Sequence, residues 1–218
     1  MKKKYILLTA FIGVMLSACS DFLDRKPLTE PNNEEYLCSR AQVENYINGL
    51  YMALPAPSQY GMGVRGEEKN SDNILAEKYD LRLNGEYNAF SGSSEWQKGY
   101  QNLRNVNYFF YYYCVPENEE TEDVLSLKGE AYFLRAYWHF YLLTRFGDIP
   151  LMDRLWDENA TVAGLQIPPA SRSDVAKFIL EDLKTASEGM LQSRSKYSGL
   201  RISKEAAIML GIIYVAGE

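Results

Sequence analysis

The sequence predicts an all-α fold, a helical bundle with long loops. Three observations carry this. The stretch 125–151, LSLKGEAYFLRAYWHFYLLTRFGDIPL, repeats Leu127, Ala131, Leu134, Trp138, Tyr141 and Leu142 at steps of three and four, which is helical spacing. Phe133, Ala136, Tyr137 and Phe140 fill its other faces, and a helix apolar nearly all round must be wrapped by other helices. Four further segments show the same period, separated by stretches rich in Gly, Pro and Asn.

The first eighteen residues stand apart. Lys2, Lys3 and Lys4 precede a short apolar run, Tyr5–Leu16, and then Ser17, Ala18 and Cys19. This is the layout of a secretory signal, too short for a stable membrane span. The ending Leu16-Ser17-Ala18-Cys19 resembles the lipobox of bacterial lipoproteins, which implies that Cys19 becomes the lipidated first residue. Removing residues 1–18 takes away three lysines and no acids, so the formal charge moves from −6 to −9. An acidic chain without a basic cluster argues against nucleic acid as a partner.

Residues 19–33, with Pro27 and Pro31, read as an extended tether. The folded part is expected over 34–218. Its first helix spans 34–54 and is stopped by Pro55 and Pro57. Residues 55–93 show no sustained period, but Tyr60, Tyr79, Leu81, Tyr87 and Phe90 speak against disorder. Ser94 is the expected cap of a second helix, with Trp96, Tyr100, Leu103, Val106, Asn107 and Phe110 at helical steps. Pro116 ends it, and 117–123 form an acidic solvated turn without the spacing of a calcium loop.

The central helix stops where Gly147 takes a left-handed cap conformation before Pro150. A fourth helix follows Ser171, with Val175, Phe178, Ile179, Leu183 and Met190 as its buried stripe, and a fifth runs over 203–215.

Cys38 opens one predicted helix and Cys114 closes another. If the two helices are antiparallel neighbours, the thiols meet and a disulfide is permitted in an exported protein. Otherwise they are two separate buried thiols.

The fifth helix carries Leu210-Gly211 followed by Tyr214. This resembles the core of a tetratricopeptide repeat helix, in which a small glycine admits a neighbouring helix. The expected architecture is therefore a tetratricopeptide-like bundle. The chain ends at Glu218 with no partner for that helix, so the bundle is expected to be incomplete at its C-terminus; the other reading is a short capping helix.

Residues 129–151, GEAYFLRAYWHFYLLTRFGDIPL, resemble the signature of the SusD/RagB family of surface lipoproteins. Trp96-x3-Tyr100-x6-Asn107 resembles that family's second-helix pattern. Pro169 to Val175 with Phe178-Ile179 and Asp182-Leu183, and Arg201 to Ala207, resemble two later elements. The resemblance implies an outer-membrane, lipid-anchored nutrient-binding protein. It would cover a SusC-like TonB-dependent transporter and deliver an oligosaccharide to it, or a peptide in the RagB branch. A tetratricopeptide scaffold that binds the transporter alone is the third reading.

No catalysis, cofactor or metal is expected. His139 is the sole histidine, so no histidine-based triad or multi-histidine metal site can be built. Arg135 lies one turn before it. A buried guanidinium needs an anionic or carbonyl partner, and Glu130 is its nearest acid in sequence. Glycan recognition needs an aromatic face beside Asn, Asp or Arg. Residues 60–96 hold both ingredients, and Asn70, Asp72, Tyr79, Arg82 and Trp96 are the candidate ligand contacts. Trp96 has a competing reading as core.

Overall fold

A computed structural model describes residues 36–54, 93–156, 166–190 and 201–216, with side chains placed as far as 211 in the last segment. Contacts divide the chain into Met1–Glu35 and Tyr36–Glu218, and all described residues fall in the second unit. Among them are five α-helices and no strand: α1 (Arg40–Tyr51), α2 (Ser94–Tyr112), α3 (Glu122–Phe146), α4 (Arg172–Gly189) and α5 (Lys204–Ala216). The all-α, tetratricopeptide-like expectation holds.

α3 is the centre. It is 25 residues long, about 37 Å at 1.5 Å per residue. It packs against α1, α2 and α4, and α4 carries α5. Leu127, Ala131, Leu134, Ala136, Trp138 and Leu142 of α3 are buried against Val43 and Ile47 of α1, Leu103, Val106 and Phe109 of α2, and Val175 and Ile179 of α4.

Local signals set the ends, with shifts from the expected positions. α1 starts at Arg40 rather than at 34. Ser39 and Gln42 form a reciprocal capping box, which satisfies two amides that a helix start leaves bare. Before it, the Leu37 carbonyl accepts from the Cys114 amide at 3.2 Å, so this residue pairs with the end of α2 instead of continuing a helix. Ser93, not Ser94, caps α2, its hydroxyl accepting from the Trp96 amide. Ser171 caps α4 by accepting from the Asp174 amide.

Gly147 ends α3 with φ +79° and ψ −122°. The φ is positive as expected, but the ψ lies outside the left-handed helical region.

Cys38 and Cys114 form a disulfide, with Cα atoms 4.5 Å apart. It joins the approach to α1 to the exit of α2, two helices that run antiparallel. Tyr46 reaches Asn105 and Tyr108 further along the same pair. Gly211 lies over Leu183 of α4. A methyl at Gly211 would meet Leu183 at 3.8 Å, an ordinary contact, so this neighbour does not demand a glycine.

Candidate functional site

Ser126, Glu130, Arg135 and His139 of α3 face inward, and two of them hold one extended segment. Arg135 is buried. Its Nε and Nη2 donate to the two carboxylate oxygens of Asp182 on α4, each at 2.7 Å. Phe110, Phe178 and Tyr132 surround its guanidinium at 4.6, 4.9 and 5.3 Å. Glu130 is therefore not the partner of Arg135. Residues five apart sit on different sides of a helix, and Asp182 arrives from another helix with both oxygens aligned. Burial pushes the Asp182 carboxyl upward, against the pull of Arg135.

The remaining Arg135 nitrogen, Nη1, donates to the Asp153 carbonyl at 3.1 Å. One turn on, His139 is fully buried. Its Nε2 accepts from the Met152 amide at 3.3 Å. Nδ1 therefore carries the proton and donates to the Arg135 carbonyl at 3.0 Å. Burial lowers its pKa to about 4, and the Arg135 charge adds to this, so the ring is neutral near pH 7.

α2 supplies the other fasteners. Asn107 Nδ2 donates to the carbonyls of Met152 at 2.9 Å and Arg154 at 3.1 Å. The Tyr100 hydroxyl donates to the Pro150 carbonyl at 2.9 Å, and burial raises its pKa. Four side chains thus hold the backbone of 150–154 against α2 and α3. The segment is anchored behind by the Ala170 amide, which donates to the Ile149 carbonyl at 2.9 Å.

With its backbone held inward, the segment leaves Asp153 and Arg154 exposed. The Arg154 guanidinium lies 5.1 Å from the half-buried Trp156 ring. An aromatic ring beside an arginine, with an exposed aspartate next in the chain, offers the kinds of group that sugar sites use. Sequence reasoning placed this set in 60–96 instead. The available signal was Asp153-Arg154-x-Trp156 directly after the signature.

Of the sequence-predicted contacts, Trp96 is described. It sits in the first turn of α2, half-buried, 4.7 Å from Tyr100 and edge-on to Phe146 at 5.0 Å. There it packs the start of α2 onto the end of α3 as part of the core. Asn70, Asp72, Tyr79, Arg82 and Cys19 lie outside the described residues. Among the described residues no group of His, Cys, Asp and Glu has metal-site geometry, and no helix is long and apolar enough to cross a membrane.

Residues 21–213 match the SusD-like family described as "Starch-binding associating with outer membrane". The chain belongs to the SusD-like family. It is 23% identical over 231 residues to SusD-like protein P2 of Formosa agariphila, an alignment covering 98% of this chain and 43% of that one. Its fold superposes on a SusD-like protein from Bacteroides fragilis with a TM-score of 0.71 at 25% identity, over 87% of this chain and 37% of that one. A laminarin-binding SusD-like protein gives 0.66 at 19% identity, over 83% and 41%. The chain thus spans less than half the length of these SusD-like relatives.

Proposed function

We propose that this SusD-like chain serves in a surface protein that captures an oligosaccharide at the outer membrane. It would pass the sugar to a SusC-like TonB-dependent transporter and would carry out no chemistry on it. The observation that supports this most is the family match over nearly the whole chain, in a family described as starch-binding and outer-membrane-associated. The lipobox-like approach to Cys19 supports a lipid anchor there. Acyl chains gain about 0.8 kcal/mol per buried CH₂, so multiple acylation holds a protein stably on a membrane.

Asn70, Asp72, Tyr79 and Arg82 are proposed ligand contacts, joined by Asp153, Arg154 and Trp156. Trp96 has its ring committed to Tyr100 and Phe146 and acts as support.

The test is binding of the chain to starch, laminarin and peptide panels, with chromatography of the products. Retention of one glucan without released products is expected. Peptide binding alone would favour the RagB-like alternative, and sugar release would establish an enzyme. Pull-down of the transporter in the absence of any glycan or peptide binding would leave the scaffold reading. For the anchor, Cys19→Ala should shift the protein from the membrane to the soluble fraction. Unchanged fractionation with normal processing would rule out lipidation.

A further inference from the structure

A groove of about 370 Å³ runs between α3 and α4, well away in sequence from the contacts named above. Leu125, Lys128 and Tyr132 of α3 line one side, and Thr185 and Glu188 of α4 the other. Gly129 and Gly189 also line it. A methyl at Gly129 would lie 2.8 Å from the Met190 side chain, and one at Gly189 would lie 3.3 Å from the Leu125 carbonyl. The helices cross closely there, and neither glycine has a side chain to fill the crease beside the crossing. The volume falls in the range of ligand pockets, about 300–1,000 Å³.

The lining is organised before any ligand arrives. Tyr132 is braced by the Phe110 ring at 4.6 Å and by the Arg135 guanidinium at 5.3 Å. Arg135 is itself fixed by Asp182. Lys128 is held at the groove edge by Glu120 at 3.1 Å and by the Tyr113 ring at 4.7 Å, which leaves ammonium donors over. The Thr185 hydroxyl donates to the Glu181 carbonyl and keeps its acceptor capacity. Among the described residues, neither the Tyr132 hydroxyl nor the Glu188 carboxylate makes a hydrogen bond or ion pair.

We propose that this α3–α4 groove is a saccharide subsite, with Tyr132 as its aromatic wall and Glu188, Thr185 and Lys128 as its hydroxyl partners. A carboxylate accepts from sugar hydroxyls and an ammonium donates to them. That favours a neutral ligand rich in donors and acceptors. The formal charge of −6 works against an anionic one. Rigid placement of the ring lowers the ordering cost of binding. The proposal takes its ligand class from the function proposed above and adds a site to it.

The test uses the whole chain with maltoheptaose and laminariheptaose as probes. Methyl chemical shifts of Leu125 and Thr185 should move on titration, saturating with the binding curve. Glu188→Gln and Tyr132→Phe should each weaken binding by about two- to tenfold. Thr185→Trp, which fills the groove, should abolish the Leu125 methyl shift while the fold, checked by its melting curve, persists. If both probes bind, but Leu125 and Thr185 stay still and the variants bind like the wild type, the groove is not a subsite and the general glycan reading survives. If neither probe binds the wild type, both readings fail together. Methyl shifts with a peptide but not with either sugar would overturn the saccharide assignment.

Discussion

Arg201 Nη1 lies 2.8 Å from Glu130 Oε2, across 71 residues of sequence. Glu130 has no exposed surface. The Tyr51 hydroxyl donates to the same oxygen at 2.8 Å and accepts from the Ile202 amide at 3.0 Å. Arg201 also reaches Asn48 at 2.6 Å and Glu44 at 3.2 Å. One carboxylate on α3 therefore ties α1 to the residues that lead into α5. Burial, with Glu130 alongside, holds the Tyr51 hydroxyl well above its usual range, so it remains a donor.

Removing Arg201 leaves this charge buried with less compensation. Arg201→Met is expected to cost about 3–5 kcal/mol in chemical denaturation. The double variant Glu130→Met/Arg201→Met should cost clearly less, because it buries no orphaned carboxylate. Equal losses in the two would show that the ion pair is not the source of the effect.

His139 makes stability depend on pH. Its folded pKa of about 4 lies below the ordinary 6.5, so between these values the unfolded chain binds more protons. Stability must then rise with pH through that window and level off above about 6.5. The expected loss between pH 7 and pH 5 is about 2 kcal/mol. His139 is the sole histidine, so His139→Gln should flatten the profile there. An unchanged slope would place the titrating group elsewhere.

The Cys38–Cys114 disulfide spans 76 residues. A loop of that length corresponds to about 4 kcal/mol of unfolded-state restriction. Cys38→Ser/Cys114→Ser, measured beside wild type without reductant, should lower stability by an amount of that order. Adding reductant should lower the wild type alike and leave the variant unaffected.

Gly147 combines a φ of +79° with close packing on Arg172. A methyl there would meet the far end of the flexible Arg172 side chain at 2.7 Å, which can move aside. The backbone cannot, so Gly147→Ala should cost about 1–3 kcal/mol. Arg172→Ala in the same background should recover little of it. Substantial recovery would assign the cost to the clash.

Much of the fold was legible along the chain because its causes are local. Apolar residues at steps of three and four marked all five helices. Ser171 and Gly147 marked real ends, since a cap acts on amides and carbonyls within one turn. At Ser93 the neighbouring hydroxyl of Ser94 offered an equal signal, and the hydrogen bond to the Trp96 amide chose between them, whereas α1 starts later than expected because Leu37 pairs with the end of α2.

The polar core was not legible in this way. Arg135 was seen to need an anion, but its partner Asp182 lies 47 residues away. Glu130, the acid nearest to Arg135 in sequence, meets Arg201 instead, because sequence proximity says nothing about which helix face meets which. The same holds for the segment 150–154. Its fasteners, Tyr100, Asn107, Arg135 and His139, stand out as polar residues on apolar helices, yet their common target appears only once α2 and α3 lie side by side. Spacing reports the period of one helix, whereas a buried charge is satisfied by whatever tertiary packing brings against it.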